Sequence, residues 1–340
     1  MRVPEKAVVT GGAGFIGSHL VERLQRAGVQ RIAVVDDLSS GRPENLAAAR
    51  ARGGVELVVA DVADRGAIAP AFEGAGWVFH LAGKADIVPS IDRPVDYFET
   101  NVRGTLAVLE CARAAGVQRL VYAASSSCYG IPDIYPTPEE APIRPQYPYA
   151  LTKRLGEELV LHWGRVYGLP VVSLRLFNVY GPRARTSGAY GAVFGVFLAQ
   201  RANGRPLTVV GDGTQTRDFT YVTDVAEAFL AAAGEPAAVG EVFNVGSGGH
   251  YSINRLAELI GGEVVHLPKR PGEPDRTFAD IGKIRRLLGW RPRVPFEEGV
   301  RRMLEGLEAW REAPVWDAEG IRAATRNWFR YLAQGEERPC

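Results

Sequence analysis

The stretch Ala7-Val8-Val9-Thr10 runs without a break into Gly11-Gly12-Ala13-Gly14-Phe15-Ile16-Gly17, and a helical pattern follows. This order of apolar strand, small-residue turn and helix start constrains the fold more than any other feature of the chain. Small residues let the backbone turn sharply and approach a ligand closely. The helix start beyond them offers free N–H groups and the positive end of a dipole. Together they favour an anion held against the main chain, and a pyrophosphate is the expected one. The spacing is G-x-x-G-x-x-G rather than G-x-G-x-x-G, and a glycine turn can also simply join two elements.

The rest of the first half agrees with that start. Ala7–Thr10, Arg31–Asp36, Val55–Ala60, Trp77–Leu81, Arg119–Ser125 and Val171–Leu176 read as strands, with helical patterns such as Gly17–Ala27 and Val102–Ala115 between them. Alternation of this kind implies parallel pairing, because each crossover helix returns the chain to the same end of the sheet. Runs such as VYAAS and VVSLRLF are apolar on both faces, as strands covered on both sides must be. The expected fold is α/β: a doubly wound parallel-sheet Rossmann domain with a smaller mixed α/β C-terminal domain. We place the first over residues 1–178 plus about 220–260, and the second over about 179–219 and 261–340. Val242–Asn244 reads as a further strand, Ile253–Ile260 as a helix and Val315–Leu332 as a terminal helix. A length of 340 residues suits such a pair.

The second strand ends at Asp36, 19 positions past Gly17, near the ~20-residue offset of an acid that bonds the adenosine ribose. A carboxylate there repels a 2′-phosphate, so NAD is expected over NADP, although Arg42 leaves the second open. Asp61-Val62 follows the third strand and Leu81-Ala82-Gly83 the fourth. Both sit at carboxyl ends of parallel strands, where such sheets bind ligands. Asp61 could equally cap its own loop.

Composition narrows the function by exclusion. A net charge of +1 gives no global field for nucleic acid or a membrane surface. The three cysteines, Cys111, Cys128 and Cys340, are widely spaced, which suits a reduced, cytoplasmic setting. Residues 1–5 lead directly into a strand without the pattern of a secretory signal. No apolar run reaches the ~18 residues of a membrane span. The five histidines lack ligand spacing, and no metal is expected.

Tyr149 and Lys153 lie four apart, on one face of a helix that Pro148 is suited to begin. A cation near a phenol favours the phenolate, so Tyr149 is expected to have a lowered pKa and to act as a general base. A Tyr-x-x-x-Lys spacing arises often by chance; its place after the fifth strand gives it weight. That strand ends in Ser125-Ser126-Ser127, where a hydroxyl can bond a reacting oxygen.

The joint pattern resembles the extended short-chain dehydrogenase/reductases, in the nucleotide-sugar epimerase and dehydratase group. The matching pieces are GGAGFIG, Asp36-Asp37-Leu38, LAG at 81–83, Asn101, ASSSCYG at 124–130, YALTK at 149–153, RLFNVYGP at 175–182, GDGTQTRDFTYVTDV at 211–225 and FNVGSG at 243–248. The resemblance implies bound NAD, held by Gly11, Gly14, Phe15, Ile16, Gly17, Asp36, Asp37, Asp61, Val62, Leu81, Ala82, Gly83, Asn101, Tyr149 and Lys153. It implies Ser125 as the catalytic hydroxyl, Tyr149 as base, and Lys153 as the residue that anchors the ribose and tunes the tyrosine. It also implies a nucleoside-diphosphate sugar between the domains, near Ser126 and Ser127. Asn178, Arg217 and Arg270 would meet its diphosphate and Glu273 its ribose. Arginine's planar fork fits phosphate oxygens.

Dehydratases of the group resemble one another in an Asp-Glu pair after the catalytic threonine, and decarboxylases keep a glutamate at the position of Ser127. Ser126 and Ser127 stand there instead. A sugar 4-epimerase, working through transient oxidation at C4, is therefore expected. A 4,6-dehydratase, decarboxylase or 4-reductase is the alternative, and a non-catalytic NAD-binding protein a further one. A UDP-sugar is favoured: a hexose, an N-acetylhexosamine near Gly188-Ala189-Tyr190, or a glucuronate met by Arg185. Lys84-Ala85-Asp86 departs from the lysine placement of common galactose epimerases. Apolar residues in Leu106–Ala115 and Leu155–Tyr167 suit a homodimer, or serve only their own core.

Overall fold

A computed structural model describes residues 3–184 and 192–333. Seven parallel strands form the central sheet: β1 (Lys6–Thr10), β2 (Arg31–Asp36), β3 (Val55–Val59), β4 (Trp77–His80), β5 (Arg119–Ser125), β6 (Val171–Leu176) and β7 (Val242–Val245). Their order is β7-β6-β5-β4-β1-β2-β3. The strand order reverses between β1 and β4, and the crevice of such a sheet opens at that point.

Side-chain alternation along the strands builds two cores. Val9, Val34, Phe79, Val121, Val172 and Phe243 point to one face, where they meet α1 (Phe15–Arg26) and a later helix, Val222–Gly234. Val8, Val35, Val78, Leu120, Tyr122 and Val171 point to the other, against α2 (Gly104–Ala114) and α3 (Pro148–Tyr167). Burial on both faces explains why these strands read as continuous apolar runs.

A third core belongs to the smaller lobe. It gathers Tyr180, Phe194, Phe219 and Phe296 with Leu207, Val209, Leu256, Val300, Trp310 and Trp328. Tyr180 stacks on Phe194 at 4.4 Å, and Phe219 on Phe296 at 5.3 Å.

The packing moves two of the expected boundaries. The helix Ile253–Ile260 sits in the smaller lobe, since its buried stripe of Ile253, Leu256, Ala257 and Ile260 joins that core. Conversely Ile281, Ile284 and Trp290 return to the large core, where Gly282–Leu288 packs against β7. The expected terminal helix is two helices, Ala318–Ala324 and α4 (Arg326–Leu332), divided at Thr325. The buried Thr325 hydroxyl donates to the Ile321 carbonyl, a local bond that competes with helix continuation.

Among the described residues no helix is long and apolar enough to cross a membrane. Nor does any group of three His, Cys, Asp or Glu among them suit a metal ion.

Candidate active site

The carboxyl ends of β1, β2, β4, β5 and β6 bring Thr10, Asp36, His80, Ser125 and Leu176 to one edge of the sheet. The glycine turn and the loops that follow Asp36, His80 and Ser125 leave from that edge. The glycine turn begins at Gly11, whose φ is +70°, a value that favours glycine. A Cβ on Gly17 would lie 2.2 Å from the Gly11 carbonyl oxygen, so only hydrogen fits there. Gly14 is the N-cap of α1, and no side chain caps that helix. Its first N–H groups, those of Phe15, Ile16 and Gly17, therefore have no intrahelical partner. A glycine cradle beneath an uncapped helix start fits the pyrophosphate of a dinucleotide.

Asp36 is buried beside this cradle. Its carboxylate accepts the N–H of Ala13 at 2.9 Å and of Leu38 at 3.0 Å. Burial raises its pKa, and these bonds oppose the rise. Asp37 is exposed and bonds the main chain and hydroxyl of Ser39. Asp61 is exposed too; its carboxylate accepts the Ala63 N–H at 2.9 Å, while Val62 is buried. Capping of its own loop is thus the role the geometry gives Asp61.

Beneath Leu81-Ala82-Gly83 runs a buried chain of hydrogen bonds. The Thr105 hydroxyl donates to the Asn101 carbonyl at 2.6 Å, so it accepts from His80 Nε2 at 2.9 Å. His80 Nδ1 then accepts from the Thr10 hydroxyl at 2.7 Å, and that hydroxyl accepts the Ala82 N–H at 3.3 Å. This order assigns one neutral tautomer to His80. Burial and the nearby Lys153 push its pKa down to about 3. The amide of Asn101 is engaged with Lys84, accepting its N–H at 2.8 Å and donating to its carbonyl at 3.1 Å; it also donates to the Thr152 hydroxyl at 3.1 Å. In this structure Asn101 holds the loop, rather than offering its amide to a ligand.

Pro148 stands at N1 of α3 with Tyr147 as N-cap, which presents Tyr149 at the helix start. The Tyr149 hydroxyl donates to Ser125 Oγ at 3.2 Å, and the Ser127 N–H donates to the same oxygen at 3.2 Å. Both lone pairs of Ser125 are thereby used, and its single O–H is left to donate. Ser127 also bonds the Tyr147 hydroxyl. Ser126, like Ser127, is half-buried just beyond.

Lys153 is buried one turn along α3. Its amino group lies 4.3 Å from the centroid of the Tyr122 ring. A Cβ on Gly83 would come within 3.8 Å of it. Burial lowers its pKa to about 7, against the charge of Glu157 one turn further on. Glu157 itself pairs with Arg175 at 3.0 Å, both buried. The expectation that Lys153 lowers the Tyr149 pKa is not met by the residues alone. Burial raises the Tyr149 pKa, the Ser125 bond moderates the rise, and the Asp86 carboxylate adds to it. The amino group rests on the Tyr122 ring, and burial of the phenol sets the direction of its shift.

The expected diphosphate contacts lie across the crevice in varied states. Asn178 is exposed and accepts from the Thr277 hydroxyl at 2.8 Å. Arg217 is half-buried and bonds the Thr216 carbonyl at 3.0 Å. Arg270 is buried and pairs with Glu273 at 3.4 Å, so these two expected ligands hold one another. Arg185 and Gly188-Ala189-Tyr190 lie outside the described residues. Sequence reasoning missed Asp86, Tyr97, Tyr147 and the His80 chain. Tyr97 and Tyr147 flank Tyr149, each with ring centroids 6.4 Å from it. Only Tyr147, two positions before the expected base on the same segment, carried a signal that could have found it.

Residues 7–246 match the NAD dependent epimerase/dehydratase family. The chain belongs to that family. It is accordingly an NAD-dependent enzyme of the epimerase/dehydratase class, and the cradle at Gly11–Gly17 fits the cofactor's pyrophosphate. The family member is 40% identical to the UDP-glucose 4-epimerase of Mycolicibacterium smegmatis over 88% of its own length and 97% of the relative's. It is 34% identical to UDP-glucuronic acid decarboxylase 1 of Xenopus tropicalis, over 88% and 71%. Among solved structures it resembles the UDP-glucose 4-epimerase of Thermotoga maritima with UDP-glucose. The TM-score is 0.83 at 34% identity, covering 88% of this chain and 97% of the other.

Proposed function

We propose that this enzyme is a nucleotide-sugar 4-epimerase acting on a UDP-sugar. One observation carries the reading: the hydroxyl pair Ser125–Tyr149 is followed by Ser126 and Ser127, with no carboxylic acid at either place. Loss of water or of carbon dioxide makes acid–base demands that these serines do not meet near neutral pH. Inversion of a carbinol needs only removal and return of one hydroxyl proton, together with oxidation and reduction at one carbon. The identity to UDP-glucose 4-epimerases points the same way.

NAD, when bound, supplies the hydride acceptor and donor, and a positively charged ring that favours the Tyr149 phenolate. In this reading Tyr149 takes the proton from the sugar C4 hydroxyl and returns it to the same oxygen once the sugar has turned its other face to the nicotinamide position. Ser125 donates its remaining O–H to the reacting oxygen. Lys153 anchors the cofactor ribose from below the Leu81–Gly83 loop. Arg217 and Arg270 hold the diphosphate, so the sugar can turn about its diphosphate bonds while the nucleotide stays in place.

The Asp86 carboxylate, whose charge Tyr149 feels, favours a 4,6-dehydratase as the second reading, since water loss needs an acid. Incubation with a panel of UDP-, dTDP-, GDP- and CDP-sugars, followed by chromatography and mass analysis, separates the two. Epimerisation leaves the mass unchanged. A product lighter by one water supports the dehydratase, and one lighter by carbon dioxide a decarboxylase.

We also propose a homodimer. Most apolar residues of Leu106–Ala115 serve their own core, for Val108, Leu109 and Ala112 are fully buried. The surface that supports pairing is instead a groove lined by Phe98, Val102, Leu155 and Leu159 and rimmed by Arg154, Glu158 and Arg165, beside exposed Val95, Leu106 and Leu151. Apolar residues with charges of both signs at their edge suit a self-complementary contact.

A further inference from the structure

Helix α4 lies far along the chain from the catalytic segments, yet its Trp328 reaches two of them. The side chain is 1% exposed. Its indole N–H donates to the Pro271 carbonyl at 2.7 Å. The Arg270 guanidinium lies 5.8 Å from the centre of its ring. On the other side the Tyr147 ring approaches to 5.9 Å at 43°. Tyr147 in turn runs parallel to Tyr149, 6.4 Å away and within 6°. Leu332 lies under Gly272, where a Cβ would meet it at 3.9 Å. Asn327 ties the same helix to Asp92 at 2.7 Å.

One side chain therefore spans from the start of the catalytic helix to the loop 270–273. Arginine is a flexible cation, and freezing it on ligand binding costs conformational entropy. An aromatic ring beneath the guanidinium and a hydrogen bond to the next carbonyl fix both the side chain and its backbone beforehand.

We infer that Trp328 is a positioning residue: it preorganises Arg270 for the diphosphate of the substrate, which makes α4 part of the substrate-binding apparatus. The inference rests on the reading that Arg270 meets the diphosphate. Trp328 itself touches no reacting atom. Its loss is expected to act on binding far more than on the chemical step, and to leave the NAD site, built on the other lobe, unaffected.

The test is a double-mutant cycle on the NAD-loaded protein, with UDP binding measured by calorimetry. Arg270→Ala is expected to raise the UDP Kd about tenfold or more. Trp328→Ala is expected to raise it about tenfold, and Trp328→Phe, which keeps a ring but loses the indole bond, about threefold. Adding either Trp328 change to Arg270→Ala should cost little more, because both remove the same interaction. KM for a turned-over sugar nucleotide should rise with kcat within about threefold, and NAD content should not change. If Trp328→Ala fails to fold, the cycle stands on Trp328→Phe. Additive losses, or Trp328 variants that bind UDP as the wild type does, overturn the inference. Unchanged UDP binding by Arg270→Ala faults the role of Arg270 itself, and the inference falls with it.

Discussion

The amino group of Lys153 lies 4.3 Å from the centroid of the Tyr122 ring, on the floor of the site, while the neighbouring phenol of Tyr149 faces Ser125. The lysine is buried, and its pKa falls from 10.5 to about 7. Between those values the unfolded chain binds a proton that the folded chain lacks. The folded state is therefore penalised increasingly as pH falls from 10.5 to about 7, and by a constant amount below. Lys153→Met removes the penalty. We predict that, in NAD-free protein, this variant melts at a higher temperature near pH 7, with a gain that shrinks toward pH 10. Calorimetric scans across that range check it. A gain independent of pH would contradict the assignment.

Asp86 acts on the same phenol with the opposite sign to a cation. Burial dominates the upward shift of Tyr149, Ser125 moderates it, and the Asp86 carboxylate adds to it. Asp86→Asn removes one negative charge and should lower the phenol's pKa. The acid limb of the kcat/KM profile should then move to lower pH, while Asp86→Glu should leave it near the wild type. An acid limb that moves upward would show that Asp86 does not act through the charge of Tyr149.

The glycine cradle gives a steric prediction. Gly17→Ala places a Cβ 2.2 Å from a backbone carbonyl oxygen, and backbone cannot move aside cheaply. The purified variant should carry little NAD, measured by chromatography after denaturation. Gly116→Ala, where a Cβ meets nothing within 4 Å, should retain its NAD despite some backbone strain. Equal NAD content in both would contradict the placement of the cofactor.

These cases show what a sequence makes legible. The sheet, Asp36, Ser125, Tyr149 and Lys153 were readable because each depends on short-range spacing: period-two burial, a turn between strand and helix, or one helical turn. The His80–Thr105 bond and the Trp328–Pro271 bond were not, since they join residues 25 and 57 positions apart. Asn101 was legible as part of the site but not in its role, because holding Lys84 depends on where a distant loop passes. The pKa of Tyr149 went the other way from expectation because four-residue spacing fixes a shared helix face, not how deeply the phenol is buried.

The exposed groove beside α3 predicts the oligomeric state. Phe98→Glu sets a charge in the middle of the proposed contact, where Phe98 is 48% exposed in the single chain. We predict that light scattering gives a dimer mass for the wild type and a monomer mass for the variant, with the fold retained. A monomeric wild type would remove the proposed dimer.

The central claim is inversion at one carbon by removal and return of the same hydrogen, with Tyr149 moving the hydroxyl proton. The most direct measurement uses the UDP-sugar that the panel identifies as substrate, carrying deuterium on C4, and follows the product by NMR. The account predicts the C4 epimer with deuterium still on C4, and turnover lowered about 10²–10⁴-fold in Tyr149→Phe with NAD content unchanged. Deuterium lost to solvent from C4, or a Tyr149→Phe enzyme as fast as the wild type, would contradict it.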